Sequence, residues 1–184
     1  MRKAFVETAL DKMLQVREER VAIQNSILKK YNSTIISFTM NIPGPIKNND
    51  WIQQSFLYGK QDLLNVMGAF GIEQIESRRV DSGPEGYFVV QGKFSAEDIK
   101  KNIVEFEERH SIGRWFDIDV KNASGIAISR EELGLKPRKC FLCNQDAKIC
   151  GRSRAHSVEE LFEFTNEKLK SYVLQRSHAH RRPA

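Results

Sequence analysis

The sequence is organised around one stretch, His110-Ser111-Ile112-Gly113-Arg114-Trp115-Phe116-Asp117-Ile118-Asp119-Val120. From Trp115 onward, apolar and polar residues alternate, which is typical of a β-strand with one buried face. The residues expected to point into a core are Phe116, Ile118 and Val120. Those expected on the opposite face are Trp115, Asp117 and Asp119.

The two carboxylates of this strand predict a magnesium site. Asp117 and Asp119 are two residues apart, so their backbones lie about 7 Å apart and their side chains can converge. Mg²⁺ is bound by one or two carboxylates together with substrate phosphates. Gly113 and Arg114, just upstream, offer close backbone approach and a bidentate phosphate contact. The alternative is a strand whose exposed face is acidic by chance, since Asp-x-Asp is a common pattern.

The composition indicates a globular protein that does not enter a membrane. The chain of 184 residues is long enough for one domain with an appendage. We predict an α+β catalytic domain over 1–135, a Cys/His segment with a C-terminal helix packed on the domain over 136–176, and a disordered tail over 177–184. No apolar run of about 18 residues and no signal-peptide pattern occurs, so a cytoplasmic location is predicted. The formal net charge of +5 suits an anionic partner.

The order of predicted elements indicates a ferredoxin-like split βαβ fold. A helix or a broken pair of helices over residues 2–30 precedes elements in the order strand, helix, strand, strand, helix, strand. Their predicted bounds are 33–41, 50–70, 72–80, 87–91, 95–110 and 115–120, followed by a short strand at 126–129. In this arrangement two helices cover one face of an antiparallel sheet, and we expect the other face to be left for chemistry. The Asp pair lies on that other face.

Three cysteines and a histidine predict a zinc site near the C-terminus. Cys140 and Cys143 form a C-x-x-C pair, and Cys150 and His156 complete a tetrahedral Cys₃His set. The longer spacings match no standard zinc finger, so three reduced thiols in a loop remain the alternative. A capping sequence beginning at Ser157 then predicts the last helix.

Several blocks of sequence, taken together and in order, resemble one known family. The blocks are Ser37-Phe38-Thr39, Pro43-Gly44-Pro45-Ile46-Lys47, Ser82-Gly83-Pro84-Glu85-Gly86, the stretch from Gly113 to Val120, Ser129-Arg130, and Pro137-Arg138-Lys139-Cys140-Phe141-Leu142-Cys143. With Cys150 and His156 beyond them, they resemble the apo-citrate lyase phosphoribosyl-dephospho-CoA transferases, the holo-acyl-carrier-protein synthases of bacterial citrate lyase. The resemblance extends from about residue 35 to about residue 169.

The resemblance implies a transferase of nucleotidyltransferase type. Its substrate would be 2'-(5''-triphosphoribosyl)-3'-dephospho-CoA, which it would join to a serine of the citrate lyase acyl carrier protein (the gamma subunit) with release of diphosphate. The predicted partners are therefore this precursor and this carrier, without nucleic acid or membrane. Two alternatives stay open. They are transfer to a malonate decarboxylase-type carrier, and a zinc-stabilised nucleic-acid-binding module, although no strand shows the surface aromatics of RNA-binding sheets.

This chemistry gives each candidate residue a role. Asp117 and Asp119 are predicted to hold the catalytic Mg²⁺, which neutralises the triphosphate. Arg114 is a predicted phosphate clamp among the catalytic residues. His110 is a candidate general base for the serine hydroxyl, and the alternative is a helix cap. The predicted substrate-binding residues are Lys47, Gly83, Glu85, Gly113, Arg130 and Arg138.

Overall fold

The computed structural model describes residues 10–179 and confirms an α+β architecture. The helices are α1 (Leu10–Tyr31), α2 (Asp50–Val66), α3 (Ala96–Arg109), α4 (Ala147–Ser153) and α5 (Val158–Ala179). The strands are β1 (Ile35–Met40), β2 (Ile72–Val80), β3 (Gly83–Val90) and β4 (Phe116–Lys121). No helix within the described range combines the length and the apolarity needed to cross a membrane.

The four strands form one antiparallel sheet in the order β2-β3-β1-β4. In the register of this sheet, Thr39 of β1 lies between Glu85 of β3 and Asp117 of β4. Ser37 lies in the same way between Tyr87 and Asp119. Because side chains alternate along a strand, all of these residues share one face of the sheet.

The main core fills the opposite face, between the sheet and the helices α2, α3 and α5. Phe38, Phe56 and Phe116 are fully buried there, and the ring centroid of Phe38 lies 4.9 Å from that of Phe56 and 5.0 Å from that of Phe116. Gly59 lets α2 approach this cluster, since an added Cβ would lie 2.5 Å from the Phe116 ring. The alternation predicted for β4 is confirmed at Phe116, Ile118 and Val120, all of which are buried.

Helix α1 packs across part of the face that was expected to be left for chemistry, so that expectation was wrong in part. Ile27 forms a second buried cluster with Ile35, Tyr87 and Val89. Gln24 of α1 donates to the Ser37 hydroxyl at 2.8 Å. The Asp pair itself stays accessible on this face, at the edge formed by β4.

Three local predictions differ from the structure. Trp115 does not share the face of the Asp pair, because it belongs to a 3-10 turn (Gly113–Trp115) and is buried, donating from Nε1 to Thr165 at 2.9 Å. Strand β3 begins at Gly83 instead of Tyr87, which leaves only a two-residue turn after β2. The short strand expected at 126–129 is a single bridge from Lys121 to Ala127.

The C-terminal part starts with the cysteine segment and ends in α5. Its short helix α4 was not predicted, and Asp146 caps it by accepting from the backbone N–H groups of Lys148 and Ile149. Helix α5 packs against α2 and continues to Ala179, past the predicted limit at residue 176. The rest of the predicted tail (180–184) and the first part of the N-terminal helix (2–9) lie outside the described residues.

Candidate active site and metal centre

The two carboxylates of β4 lie side by side on the open edge of the sheet. Asp117 is 46% exposed, and Asp119 also keeps an exposed side chain. Neighbouring protein atoms nevertheless displace part of the water around Asp119, and this desolvation raises the pKa of its carboxyl group. The negative charge of Asp117 raises that pKa further. A bound cation would relieve this repulsion, which fits the predicted magnesium site.

A buried carboxylate, Glu107 of α3, organises the residues beside the Asp pair. Its side chain is 2% exposed and accepts from Arg130 Nη2 at 2.5 Å and from Arg138 Nη2 at 2.6 Å. It also accepts from the backbone N–H of Ile118 at 3.3 Å, on the free edge of β4. Burial of an ion pair is tolerated only when the charges are matched and hydrogen-bonded, and here both conditions are met.

Arg138 links this buried carboxylate to the Asp pair. While Nη2 contacts Glu107, Nη1 donates to Asp117 Oδ1 at 3.0 Å. Burial opposes the charge of Arg138, but the two carboxylates outweigh it and raise the pKa of the guanidinium. Arg138 is therefore a permanent positive charge held in a fixed position beside Asp117.

A cavity of about 350 Å³ opens next to these residues. Its positively charged lining residues are Arg114, Arg130, Lys136, Arg138 and Lys139. Gly113 forms part of the wall, and an added Cβ there would overlap the backbone carbonyl of Glu107. An excess of cations around a cavity of this kind raises the local concentration of anionic ligands.

The guanidinium of Arg114 is held in place by its neighbours but forms no ion pair with a carboxylate among the described residues. Its Nε donates to the carbonyl of Lys139 at 2.6 Å, and its guanidinium lies 4.0 Å from the centroid of the Phe141 ring. Burial and the charge of Arg138 lower the pKa of Arg114, and its Nη1 has no hydrogen-bond partner among the described residues. The Nε of Arg130, in the same cavity, is also a buried donor without a partner in the described part of the chain. Unsatisfied buried donors are costly, so both favour an anion with several oxygens.

The cysteine segment brings four potential metal ligands together. The ligand atoms of Cys140, Cys143, Cys150 and His156 all lie within 4.8 Å of one another. The Sγ atom of Cys150 is 3.4 Å from that of Cys140 and 3.9 Å from that of Cys143. Tetrahedral coordination with metal–sulfur bonds of about 2.3 Å requires sulfur separations of roughly 3.8 Å. The set therefore could hold a metal ion.

Two local features support this arrangement. Arg154 has a left-handed backbone (φ 49°) that ends α4 and allows His156 to return toward the cysteines. The Nε2 atom of His156 is buried and has no hydrogen-bond partner among the described residues. A buried imidazole nitrogen without a partner, facing three thiols, is what a metal site requires.

The comparisons with known proteins point to one family. The family model described as apo-citrate lyase phosphoribosyl-dephospho-CoA transferase matches residues 8–172. A protein of Vibrio cholerae named probable apo-citrate lyase phosphoribosyl-dephospho-CoA transferase is 36% identical over 169 residues, covering 91% of this chain and 94% of its own. Proteins of Citrobacter koseri and Escherichia coli with the name apo-citrate lyase phosphoribosyl-dephospho-CoA transferase are each 34% identical over 155 residues, covering 83% of this chain and 84% of their own. The chain belongs to this family. The family and the transferase class predicted from the sequence are thereby confirmed.

The structure brings together only some of the residues predicted for this apo-citrate lyase phosphoribosyl-dephospho-CoA transferase family member. Gly113, Arg114, Arg130 and Arg138 share the basic cavity, and Arg138 connects it to Asp117. Lys47, in contrast, lies in the loop before α2 and donates to the carbonyl of Ile42 at 2.5 Å. Burial lowers the pKa of this lysine.

Gly83 and Glu85 lie in β3, away from the basic cavity. Gly83 has φ 111° and would place an added Cβ 3.0 Å from the Lys47 carbonyl, so its observed role is close packing of the turn against that loop. Glu85 is not in a solvated turn but is 1% exposed, paired with Arg20 at 2.6 Å and accepting from the Tyr87 hydroxyl at 2.7 Å. It is therefore already neutralised between α1 and the sheet.

His110 follows α3 and borders the cavity, but its ring is engaged on the helix-covered side. Its Nε2 lies 3.1 Å from Asp62 Oδ2, and its Nδ1 accepts from the backbone N–H of Ile112 at 3.2 Å. The ring packs against Phe116, which points away from the Asp pair. Burial lowers the pKa of His110, although Asp62 opposes the shift. The structure does not place this imidazole with the carboxylates of β4.

Sequence reasoning missed the residues that support the site from α3. Lys100 and Glu107 are seven residues apart, and both are buried on the inner side of an amphipathic helix. Lys100 donates to the Ile118 carbonyl at 2.6 Å, so the two residues together satisfy the free edge of β4. The available signal was the position of two charges within the apolar stripe of a helix, where buried charges require partners.

Proposed function

We propose that the chain transfers the phosphoribosyl-dephospho-CoA group of 2'-(5''-triphosphoribosyl)-3'-dephospho-CoA to a serine of the apo-citrate lyase acyl carrier subunit. The serine oxygen bonds to the α-phosphorus and its proton is released to the solvent, while the bond from the α-phosphorus to the oxygen that bridges to the β-phosphate breaks and diphosphate leaves with that oxygen. The observation that carries the proposal is the connection of the Asp117–Asp119 pair to a cationic cavity through Arg138. The family relationship supports it, since the relatives are named for this group and for apo-citrate lyase.

The cavity residues act on the triphosphate. Arg114 and Arg130 keep buried donors free of partners in the described structure, and we assign those donors to phosphate oxygens. Arg138 keeps its charge next to Asp117 and helps to balance the charge of the departing diphosphate. Gly113 lets the turn before β4 pack against the backbone carbonyl of Glu107, which an added Cβ would overlap, and this packing holds the cavity wall beside Arg114.

Asp117 and Asp119 would hold Mg²⁺. Bound there, the ion supplies charge neutralisation of the triphosphate and orientation of the leaving group. The raised pKa of Asp119 supports this assignment, since a carboxylate destabilised by its surroundings gains most from a cation. Without the ion, the guanidinium of Arg138 is the positive charge next to Asp117.

We also infer zinc as the ion of the Cys₃His set, because thiolate and imidazole ligands in a tetrahedral arrangement favour it. Its role would be structural, since all four protein ligands are present. The order of elements and the strand order support a ferredoxin-like split βαβ assignment for the domain. The role of His110 as a general base stays a prediction. The hydrogen bond that its ring accepts from Ile112 favours a different role, in which His110 positions the adjacent turn.

The proposed function is tested by incubation of the purified chain with Mg²⁺, the labelled precursor and purified apo-carrier. We expect label on the citrate lyase carrier, with release of one diphosphate per carrier. The matched controls are the same carrier with its acceptor serine replaced by alanine and the carrier of malonate decarboxylase. Absence of label from the citrate lyase carrier would overturn the proposal, and label on the malonate decarboxylase carrier alone would replace the acceptor.

A further inference from the structure

The net positive charge of this protein arises from one short segment. Residues 136–156, which we name the basic module, contain six Lys and Arg residues and one Asp. The chain as a whole has 29 Lys and Arg against 24 Asp and Glu, so the remaining residues contain 23 of each sign. The entire formal excess of +5 therefore lies in the basic module.

Most of this charge faces the solvent. The exposed basic residues of the module are Lys136, Lys139, Lys148, Arg152 and Arg154. Among residues 14–178, whose side chains the structure describes, none of these five takes part in an ion pair. Other arginines of the protein behave differently, since Arg20, Arg78 and Arg130 are each paired with a carboxylate.

The basic module also exposes apolar side chains. Ile149 is 61% exposed and lies one turn before Arg152 on α4, while Leu142 is 38% exposed in the cysteine loop. Exposed apolar side chains surrounded by a charged rim are typical of a protein-binding surface. A surface built for nucleic acid would instead add exposed aromatic rings for stacking, and Phe141 of the module lies beneath the Arg114 guanidinium.

The module is attached directly to the proposed active site. The Lys139 carbonyl accepts from Arg114, and the Phe141 ring stacks on Trp115 with a centroid distance of 5.4 Å. Arg138 joins the module to Asp117. A partner bound to the exposed residues of the module is thus held beside the cavity that we assign to the triphosphate.

We propose that the basic module is the docking surface for the acceptor protein, and that it binds an acidic face of the carrier subunit of apo-citrate lyase. This inference rests on the proposed function, which requires a protein serine to reach the cavity. Lys148, Arg152 and Arg154 provide the charge complementarity, and Ile149 provides the apolar contact. The charges steer the carrier toward the site and set its orientation.

The test compares two charge-reversed proteins that have the same net charge. In the first, Lys148→Glu, Arg152→Glu and Arg154→Glu are combined. In the matched control, three exposed lysines outside the module are reversed, namely Lys29→Glu, Lys93→Glu and Lys101→Glu. Metal content and thermal midpoint are measured for both, and Ile149→Ser serves as a second module variant that leaves the charge unchanged.

The module variant is expected to raise the KM for the apo-carrier about tenfold or more, because a rim of repelling charges slows association. The KM for the precursor and the maximal rate should stay at the wild-type values, and the control protein should behave as wild type. Added salt should raise the wild-type KM for the carrier toward that of the variant.

The binding of apo-carrier in the absence of precursor is measured by titration calorimetry. This measurement separates the docking inference from the proposed function, because it requires no transfer. If the wild type binds the carrier and the module variant binds it more weakly, the docking surface is supported even if no label is transferred. Equal binding and equal carrier KM for wild type and for both module variants would overturn it. Binding of single-stranded or duplex nucleic acid to the module in preference to the carrier would also overturn it.

Discussion

Glu107→Gln should destabilise the protein strongly, because Glu107 is the buried carboxylate that holds Arg130 and Arg138. The substitution preserves shape and removes one charge from a group that is 2% exposed. Breaking a buried ion pair typically costs about 3–5 kcal/mol. Arg130 keeps a contact to Glu108 at 3.2 Å and Arg138 keeps Asp117 at 3.0 Å, so we expect the lower end, about 3 kcal/mol. For a chain of this length that loss lowers the thermal midpoint by roughly 6–12 °C.

The assay is urea unfolding at pH 7, monitored by the fluorescence of the two tryptophans, Trp51 and Trp115, and by circular dichroism. The matched control is Glu108→Gln, which removes a 62% exposed partner of the same arginine and should change the free energy of unfolding by less than about 1 kcal/mol. If Glu107→Gln were no more destabilising than Glu108→Gln, the account of this network would be refuted.

Three further predictions concern the metal content, Arg114 and His110. Elemental analysis should find about one zinc per chain, and Cys143→Ser should lower both the zinc content and the thermal midpoint. In steady-state kinetics, Arg114→Ala should lower the maximal rate more than it raises the KM for the precursor, and Arg114→Lys should recover only part of it. Burial lowers the pKa of His110 from 6.5, so the free energy of unfolding should fall as the pH drops below that value, and this part of the slope should be missing in His110→Gln.

The sequence was most informative where periodicity and spacing carry the structure. The alternation from Phe116 to Val120 placed the strand and separated Asp117 and Asp119 from the core. The Cys and His spacings predicted four ligands that the structure brings within 4.8 Å of one another. Both are local patterns, in which the relevant residues are close together in the chain.

Long-range contacts were not accessible in the same way. The position of α1 depends on which apolar patch of the sheet its Ile27 meets, and no local pattern encodes that choice. The burial of Glu85 follows from Arg20, which is 65 residues away. The grouping of Glu107 with Arg130 and Arg138 joins three separate segments of the chain. Its only sequence signal was the charge of Glu107 within the apolar side of α3.

We assign transfer to the carrier to the β4 carboxylates and the cavity beside them. The most direct measurement is the intact mass of the citrate lyase apo-carrier after incubation with the precursor and Mg²⁺, using wild type, Asp117→Asn and Asp119→Asn. We expect the mass increase of one phosphoribosyl-dephospho-CoA group with wild type, and rates at least about 10²-fold lower for both variants with unchanged circular dichroism, because lost metal ligands cost several kcal/mol of transition-state stabilisation. Near-wild-type transfer by either folded variant at saturating Mg²⁺ would show that the substituted carboxylate is not a ligand of the catalytic metal.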